Sequence, residues 1–347
     1  MIKRFIGLFA VFILGLLGSA CAAEEDQNQE ASEESPLHIY TTLFAWEDFA
    51  NRIGGEEVKV ENLVPAGADA HSFEPTSQTM IDIAESDAFL FNGAGMEGFA
   101  DSVNETVAAE DGLSVEVTKG LDLQDGLGAD PHDHGEVQHT HEHGDTDPHV
   151  WLDPILAQQA AENIKDALIE LRPQKEEIFE ENFAELEEDL QSLDASFTEM
   201  AEKAEHKTFI VSHAAYGYWE ARYGLEQMSI SGISPSDEPS QKELQSIIET
   251  IEETGIQHVM FEQNVSSKVT DVVQNEADAE ALYLHNVSTR SEEEIEEGAD
   301  YFSLMKENIE NLQTALQYSN GIEEEENHDQ GEEEHEEHHG EEEHNHD

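Results

Sequence analysis

Residues Pro173–Met200 read PQKEEIFEENFAELEEDLQSLDASFTEM, and their apolar positions decide the architecture. Phe179, Phe183, Leu186, Leu190, Leu193, Phe197 and Met200 recur at alternating steps of four and three, a period of 3.5 kept for three heptads. Pro173 is well placed as the first residue of a helix. At 1.5 Å per residue, a helix of about 30 residues runs roughly 45 Å. Two arrangements bury such a stripe. One is a homodimeric coiled coil, and the other is a single stiff rod lying across two lobes of the same chain.

The flanking sequence favours the rod. Before it, LHIYTT (Leu37–Thr42), EVKVENLV (Glu57–Val64), AFLFNGA and LSVEVT read as strands. Between them, FAWEDFANRIGG, SQTMIDIAESD and GFADSVNETVAAE read as helices, and Ile155–Leu171 forms one more. After residue 206 the rhythm returns, with strands TFIVS (Thr208–Ser212), LEQMSIS, QHVMFEQ and ALYLH separated by helical segments. In SQKELQSIIETIEETG, Leu244, Ile247, Ile248 and Ile251 share one face at helical spacing. A final helix is expected from about Glu292 to Tyr318. Strands alternating with helices of this length indicate parallel βαβ units. The expected fold is therefore α/β, with two lobes that each hold a mainly parallel four-stranded sheet with flanking helices, joined by one long rigid helix. The expected bounds are 37–171 for the first lobe, 172–205 for the linking helix and 206–320 for the second lobe.

The ends of the chain read differently. Lys3 and Arg4 precede the apolar run FIGLFAVFILGLL and then GSAC, the pattern of an export signal over 1–20. Cys21 is the only cysteine, so neither an internal disulfide nor a thiolate metal site is available. The segment resembles a bacterial lipoprotein signal, which implies a lipid on Cys21 and a tether to the outer face of the cell membrane. Gly18 departs from that pattern, which usually has Leu three before the cysteine, so a plain secretory peptide is the alternative. Residues 21–36 read as a flexible tether, and 321–347 as a low-complexity His/Glu tail.

Charge bounds the partners. The chain of 347 residues carries 81 acidic against 15 basic residues, a formal net charge of −66. That balance excludes nucleic acid, since no Lys/Arg stripe is available to neutralise phosphates, and it suits cations. Most of these carboxylates are a solvated surface.

The histidines carry the chemistry. In an open parallel sheet, ligands gather at the carboxyl ends of strands. His71 follows the second strand through a Gly/Ala loop, His149 precedes a helix, His213 directly follows TFIVS, and His285 ends the last strand. Together they place two imidazoles from each lobe at the loop edge, and a tetrahedral zinc site takes four donors. His38, His206 and His258 lie near strand starts and read as structural. Within HDHGEVQHTHEHGDTDPHVWLDP (His132–Pro154), His132, His134, His139, His141 and His143 stand in an acidic, Gly-spotted loop with nothing apolar to pack on.

ADAHSFEP, DPHVWLDP and SHAAYGYW resemble the three signatures of the zinc-specific solute-binding lipoproteins of bacterial ABC importers, the metal-binding cluster A-I family. The resemblance runs from Leu37 to Gln317. It implies that His71, His149 and His213 are metal ligands, that zinc is the transported ion, and that an ABC permease is the partner. The family's fourth ligand is usually a carboxylate near the end of the last strand. Here the matching place is His285, which leaves His285, a water or an unplaced carboxylate as the fourth donor. The acidic histidine loop is expected to act as a set of weak auxiliary zinc sites, as is the tail with His328, His335, His338, His339, His344 and His346. Its HEEHH match to the metalloprotease pattern is discounted, because the segment has nothing to bury.

The expected protein is a monomer, not an enzyme, that captures Zn2+ between its lobes. Release is expected through local loop rearrangement at the permease, and affinity should fall as pH drops towards about 6. Three alternatives stand beside this. A manganese-binding relative would carry more oxygen donors. In an adhesin or storage protein, loop and tail would matter more than the cleft. A zinc hydrolase would need an open coordination position and a base, for which Glu74 is the nearby candidate.

Overall fold

The computed structural model describes residues 35–110, 112–126, 146–237, 239–262 and 268–317. Cys21, the five loop histidines His132, His134, His139, His141 and His143, and the tail lie outside the described residues.

Among the described residues, eight strands form two four-stranded sheets. The first contains β1 (Leu37–Thr41), β2 (Val58–Asn62), β3 (Ala88–Phe91) and β4 (Leu113–Glu116) in the order β2-β1-β3-β4. The second contains β5 (Thr208–Val211), β6 (Glu226–Ser229), β7 (His258–Phe261) and β8 (Glu280–Tyr283) in the order β6-β5-β7-β8. Every strand pair is parallel, so each connection is a crossover through a helix or loop. Helices α1 (Phe44–Gly54), α2 (Ser77–Ala84) and α3 (Ala100–Ala109) flank the first sheet, and α6 (Gly217–Tyr223), α7 (Gln241–Thr254) and α8 (Lys268–Glu276) the second. The repeated order puts a topological switch point beside the first strand of each sheet, where crevices open.

Two helices join the halves. α4 (Pro154–Leu171) starts at Asp153, whose carboxylate accepts from the backbone N–H groups of Ile155 and Leu156. α5 (Glu176–Lys203) is the 28-residue rod, preceded by a short 3-10 turn at Pro173–Lys175. Its stripe is buried within the chain: Phe179, Leu186, Leu190, Leu193, Phe197 and Met200 are covered. Phe183 is half-buried under the Lys165 ammonium, 4.9 Å from its ring. α5 packs on α1, α4, α6 and α10 (Tyr301–Ala315), which come from both halves, so its apolar seam is buried within this chain's own lobes. No helix among the described residues is long and apolar enough to cross a membrane.

The last helix differs from the continuous one expected. It is split into α9 (Glu292–Glu297) and α10. Gly298 takes a left-handed conformation that ends α9, and Asp300 caps α10 reciprocally with Ser303. The break turns Tyr301 into the core, where its ring lies 4.8 Å from that of Phe49 and its hydroxyl donates to the Trp151 carbonyl.

Candidate metal site

Three of the four predicted imidazoles converge. His71, His149 and His213 offer ring nitrogens that all lie within 4.8 Å of one another, and they form the one such metal-capable group among the described residues. His149 and His213 are buried, while His71 is half-buried and forms the solvent side of the group.

Each ligand is held by its own local chemistry. His71 sits in a turn closed by Asp69, whose carboxylate accepts from the His71 backbone N–H at 3.0 Å and from the Ser72 hydroxyl at 2.7 Å. His149 is fixed by Asp147, whose Oδ1 accepts from the His149 backbone N–H at 3.0 Å and from its Nδ1 at 2.7 Å. The carbonyl of Pro148 accepts from the Asn92 amide, so the segment is tied to the end of β3. His213 leaves the end of β5, and its Nδ1 donates to Glu262 Oε1 at 2.5 Å. Glu262, buried at the end of β7, accepts from the Asn286 amide with its other oxygen.

These carboxylates set the tautomers. A carboxylate only accepts, so Nδ1 of both His149 and His213 carries the proton and Nε2 presents a lone pair. The His213 Nε2 is buried with no hydrogen-bond partner, an unsatisfied acceptor of the kind a cation would take up. The Nε2 atoms of His71 and His149 lie 3.1 Å apart. Donors around a tetrahedral zinc at 2.0–2.1 Å are ~3.3 Å apart, so His71 and His149 already stand at that spacing and small side-chain shifts complete the set. Burial, then the neighbouring His149 and His213 rings, hold the His71 imidazole well below its ordinary pKa, which keeps it neutral and free to ligate.

His285 does not join the group. Its Nδ1 accepts from the Val287 backbone N–H at 2.8 Å, so the proton of the neutral ring is on Nε2, which lies 3.3 Å from the Glu294 carboxylate. Its one lone pair is already used. Burial raises the Glu294 pKa, but the bonds from His285 and Ser291 outweigh it and bring the group down to about 2. Glu74, the base a hydrolase would need, is exposed. His38 pairs with Glu61, and His206 is exposed. His258 lies 3.9 Å from Glu280.

Histidine spacing alone missed Asp147 and Glu262. Both had a signal: Asp147 stands two residues before His149, and Glu262 is a carboxylate at the carboxyl end of an apolar strand.

Residues 39–315 match the family described as zinc-uptake complex component A, periplasmic (ZnuA). The chain belongs to this family. It is 34% identical over 316 residues to the high-affinity zinc uptake system protein ZnuA of Bacillus subtilis, covering 91% of this chain and 99% of that one. It is also 34% identical over 321 residues to the zinc-binding lipoprotein AdcA of Streptococcus pneumoniae, covering 90% of this chain but only 63% of that longer protein. Among solved structures, the Zn(II)-bound ZnuA-like domain of S. pneumoniae AdcA superposes with a TM-score of 0.68 at 31% identity, over 81% of this chain and 99% of the domain. The two sheets and long helix described above are thus a ZnuA-like two-lobe fold.

Proposed function

We propose that this chain captures Zn2+ outside the cytoplasm and delivers it to an ABC-type importer. The observation that carries the reading is the convergence of three imidazoles, two of them oriented by buried carboxylates, on a spot where one buried Nε2 has no partner. Zinc is the cargo, held by Nε2 of His71, His149 and His213. An all-nitrogen set suits zinc better than manganese, which favours oxygen donors. Solvent fills the fourth position in this reading, because His285 would first have to give up its bond from Val287.

His71 is the ligand that solvent reaches, so the ion arrives and leaves past it. The family membership supports an ABC permease as the acceptor. The signal-like start, together with the lipoprotein name of the AdcA relative, supports a lipid on Cys21 and attachment to the outer face of the membrane. Burial of the α5 stripe within one chain supports a monomer. The histidines of 130–147 and of the tail act in this account as weak zinc collectors, on composition alone.

The test is a zinc titration against a competing chelator, using a chain without residues 130–145 and 321–347. One tight site should survive. Loss of tight binding in that shortened chain would favour the storage or adhesin alternative.

A further inference from the structure

The segment after β8, residues 284–290, is hydrogen-bonded to the carboxylate that holds His213, to Trp151 beside His149 and to the loop that leads into His71. Asn286 is its centre and is buried. The Asn286 Nδ2 donates to Glu262 Oε2 at 2.7 Å, and Glu262 Oε1 accepts from His213 Nδ1. The Asn286 carbonyl accepts from the indole N–H of Trp151 at 2.6 Å, two residues beyond His149. Its Oδ1 accepts from the backbone N–H and hydroxyl of Ser288, at 3.1 and 2.8 Å.

The residues that follow reach the His71 loop. The Thr289 hydroxyl donates to the Ala68 carbonyl at 3.2 Å, and the Arg290 carbonyl accepts from the Gly67 N–H at 3.0 Å. Between these contacts, Val287 is fully buried at φ 56°, a left-handed conformation that a β-branched residue rarely adopts. Such backbone persists only where its surroundings over-determine it, and it clusters at ligand clamps.

A carboxylate that orients an imidazole with one oxygen is itself oriented only if the other oxygen is held. In a buried site, only a donor of fixed direction can do this. An amide meets both demands here, since it donates to Glu262 and accepts from Ser288 at once. We propose that Asn286 is a positioning residue for zinc: through Glu262 it aims Nε2 of His213 at the ion, and through Trp151 it ties that imidazole to the segment carrying His149. The proposal rests on the three-imidazole zinc reading above. It makes residues 284–290 the element whose displacement loosens ligands from both lobes without any swing of the lobes.

The test uses the full chain, zinc affinity by chelator competition, and the visible spectrum of the Co2+-substituted protein. Partners that orient a ligand are typically worth 10–100-fold in metal affinity, so Asn286→Ala should weaken zinc by about that factor and shift the cobalt bands. Because Asn286 acts through Glu262, the double variant Asn286→Ala/Glu262→Ala should bind no more weakly than Glu262→Ala alone. Unchanged affinity in Asn286→Ala, or losses that multiply in the double variant, overturns the proposal.

A merely structural Asn286 would lower the melting temperature of the metal-free chain and leave the cobalt bands in place. Should Asn286→Ala fail to fold, Asn286→Ser keeps a polar group beside Ser288 but is too short to reach Glu262. The same loss is expected there, and parental affinity in it is equally fatal. If His213→Ala binds zinc as tightly as the parent, the three-imidazole reading itself fails and takes this proposal with it. Intact His213 dependence with an unaffected Asn286→Ala defeats the positioning role alone.

Discussion

Nε2 of His71 and Nε2 of His149 face each other across 3.1 Å. Asp147 keeps the His149 proton on Nδ1, so in the metal-free chain His71 must be the donor of this bond, with its own proton on Nε2. Zinc takes the place of that proton. Nitrogen NMR should therefore show His71 as the Nε2–H tautomer without zinc and as the Nδ1–H tautomer with it, while His149 remains Nδ1–H throughout. An Nδ1–H His71 in the metal-free protein contradicts this.

The same ring supplies a pH prediction. Burial and the rings of His149 and His213 hold its pKa well below the ordinary value of about 6.5. The unfolded chain thus binds a proton on this residue before the folded chain does. Stability of the metal-free protein falls as pH drops below about 6.5, and the loss levels off only below the folded pKa. Competition between protons and zinc at His71 likewise begins only well under pH 6.5. A proton-NMR titration of the His71 ring should have its midpoint below that value, and a midpoint at or above it refutes the assignment.

Asp48 titrates in the opposite sense. Burial first, then the Asp300 carboxylate, push its pKa up to about 6, against the pull of Arg52, the Tyr301 backbone N–H and Arg290. One of its carboxylate oxygens is buried without a partner. A raised folded pKa favours the fold below the unfolded value of about 4, and that contribution is gone above pH 6, where the ionised group costs roughly 2–3 kcal/mol. Asp48→Asn should accordingly raise the melting temperature by several degrees at pH 8 and change little at pH 4. Equal shifts at both pH values would remove the electrostatic explanation.

Gly217 opens α6 with no side chain because Asp147 fills the space. A Cβ there would lie 2.8 Å from Asp147 Oδ2 and 3.5 Å from Gln227 Nε2. Gly217→Ala must displace the carboxylate that orients His149, and zinc affinity is expected to drop about tenfold. Isothermal titration of this variant reads the effect directly, and an unchanged affinity would mean that Asp147 does not orient the ligand.

For His285 the expected outcome of an alanine substitution is structural. The ring holds the Val287 N–H and the Glu294 carboxylate, so His285→Ala should lower stability by about 1–3 kcal/mol through the groups left unpaired. In a chain without residues 130–145 and 321–347, zinc stoichiometry should stay at one per chain by elemental analysis. A collapse of binding equal to that of His213→Ala would instead make His285 the fourth ligand.

Much of this was legible in the chain. Alternating apolar strands and helices predicted both four-stranded sheets, because buried parallel strands leave continuous apolar runs such as TFIV and AFLF. The 3.5-residue seam of α5 predicted a rod with one buried face. His71, His149 and His213 were recognisable because each lies in a loop at the edge where crevices open. Less visible was the break between α9 and α10, where a left-handed Gly298 and the Asp300 cap overrode an otherwise helical pattern. His285 shares its strand-end position with His213, and only the direction of its ring shows that its lone pair is spent. Glu262 and Asn286 are far from His213 in sequence, so their link to it depends on tertiary packing that no local pattern encodes.

Diffraction from zinc-loaded crystals at the zinc absorption edge tests the core of this account. The prediction is a single strong anomalous peak in the described region, bonded to Nε2 of His71, His149 and His213 at about 2.0–2.1 Å, with the His285 ring still accepting from Val287. A peak centred elsewhere, or one that leaves any of those three imidazoles unbound, would contradict it.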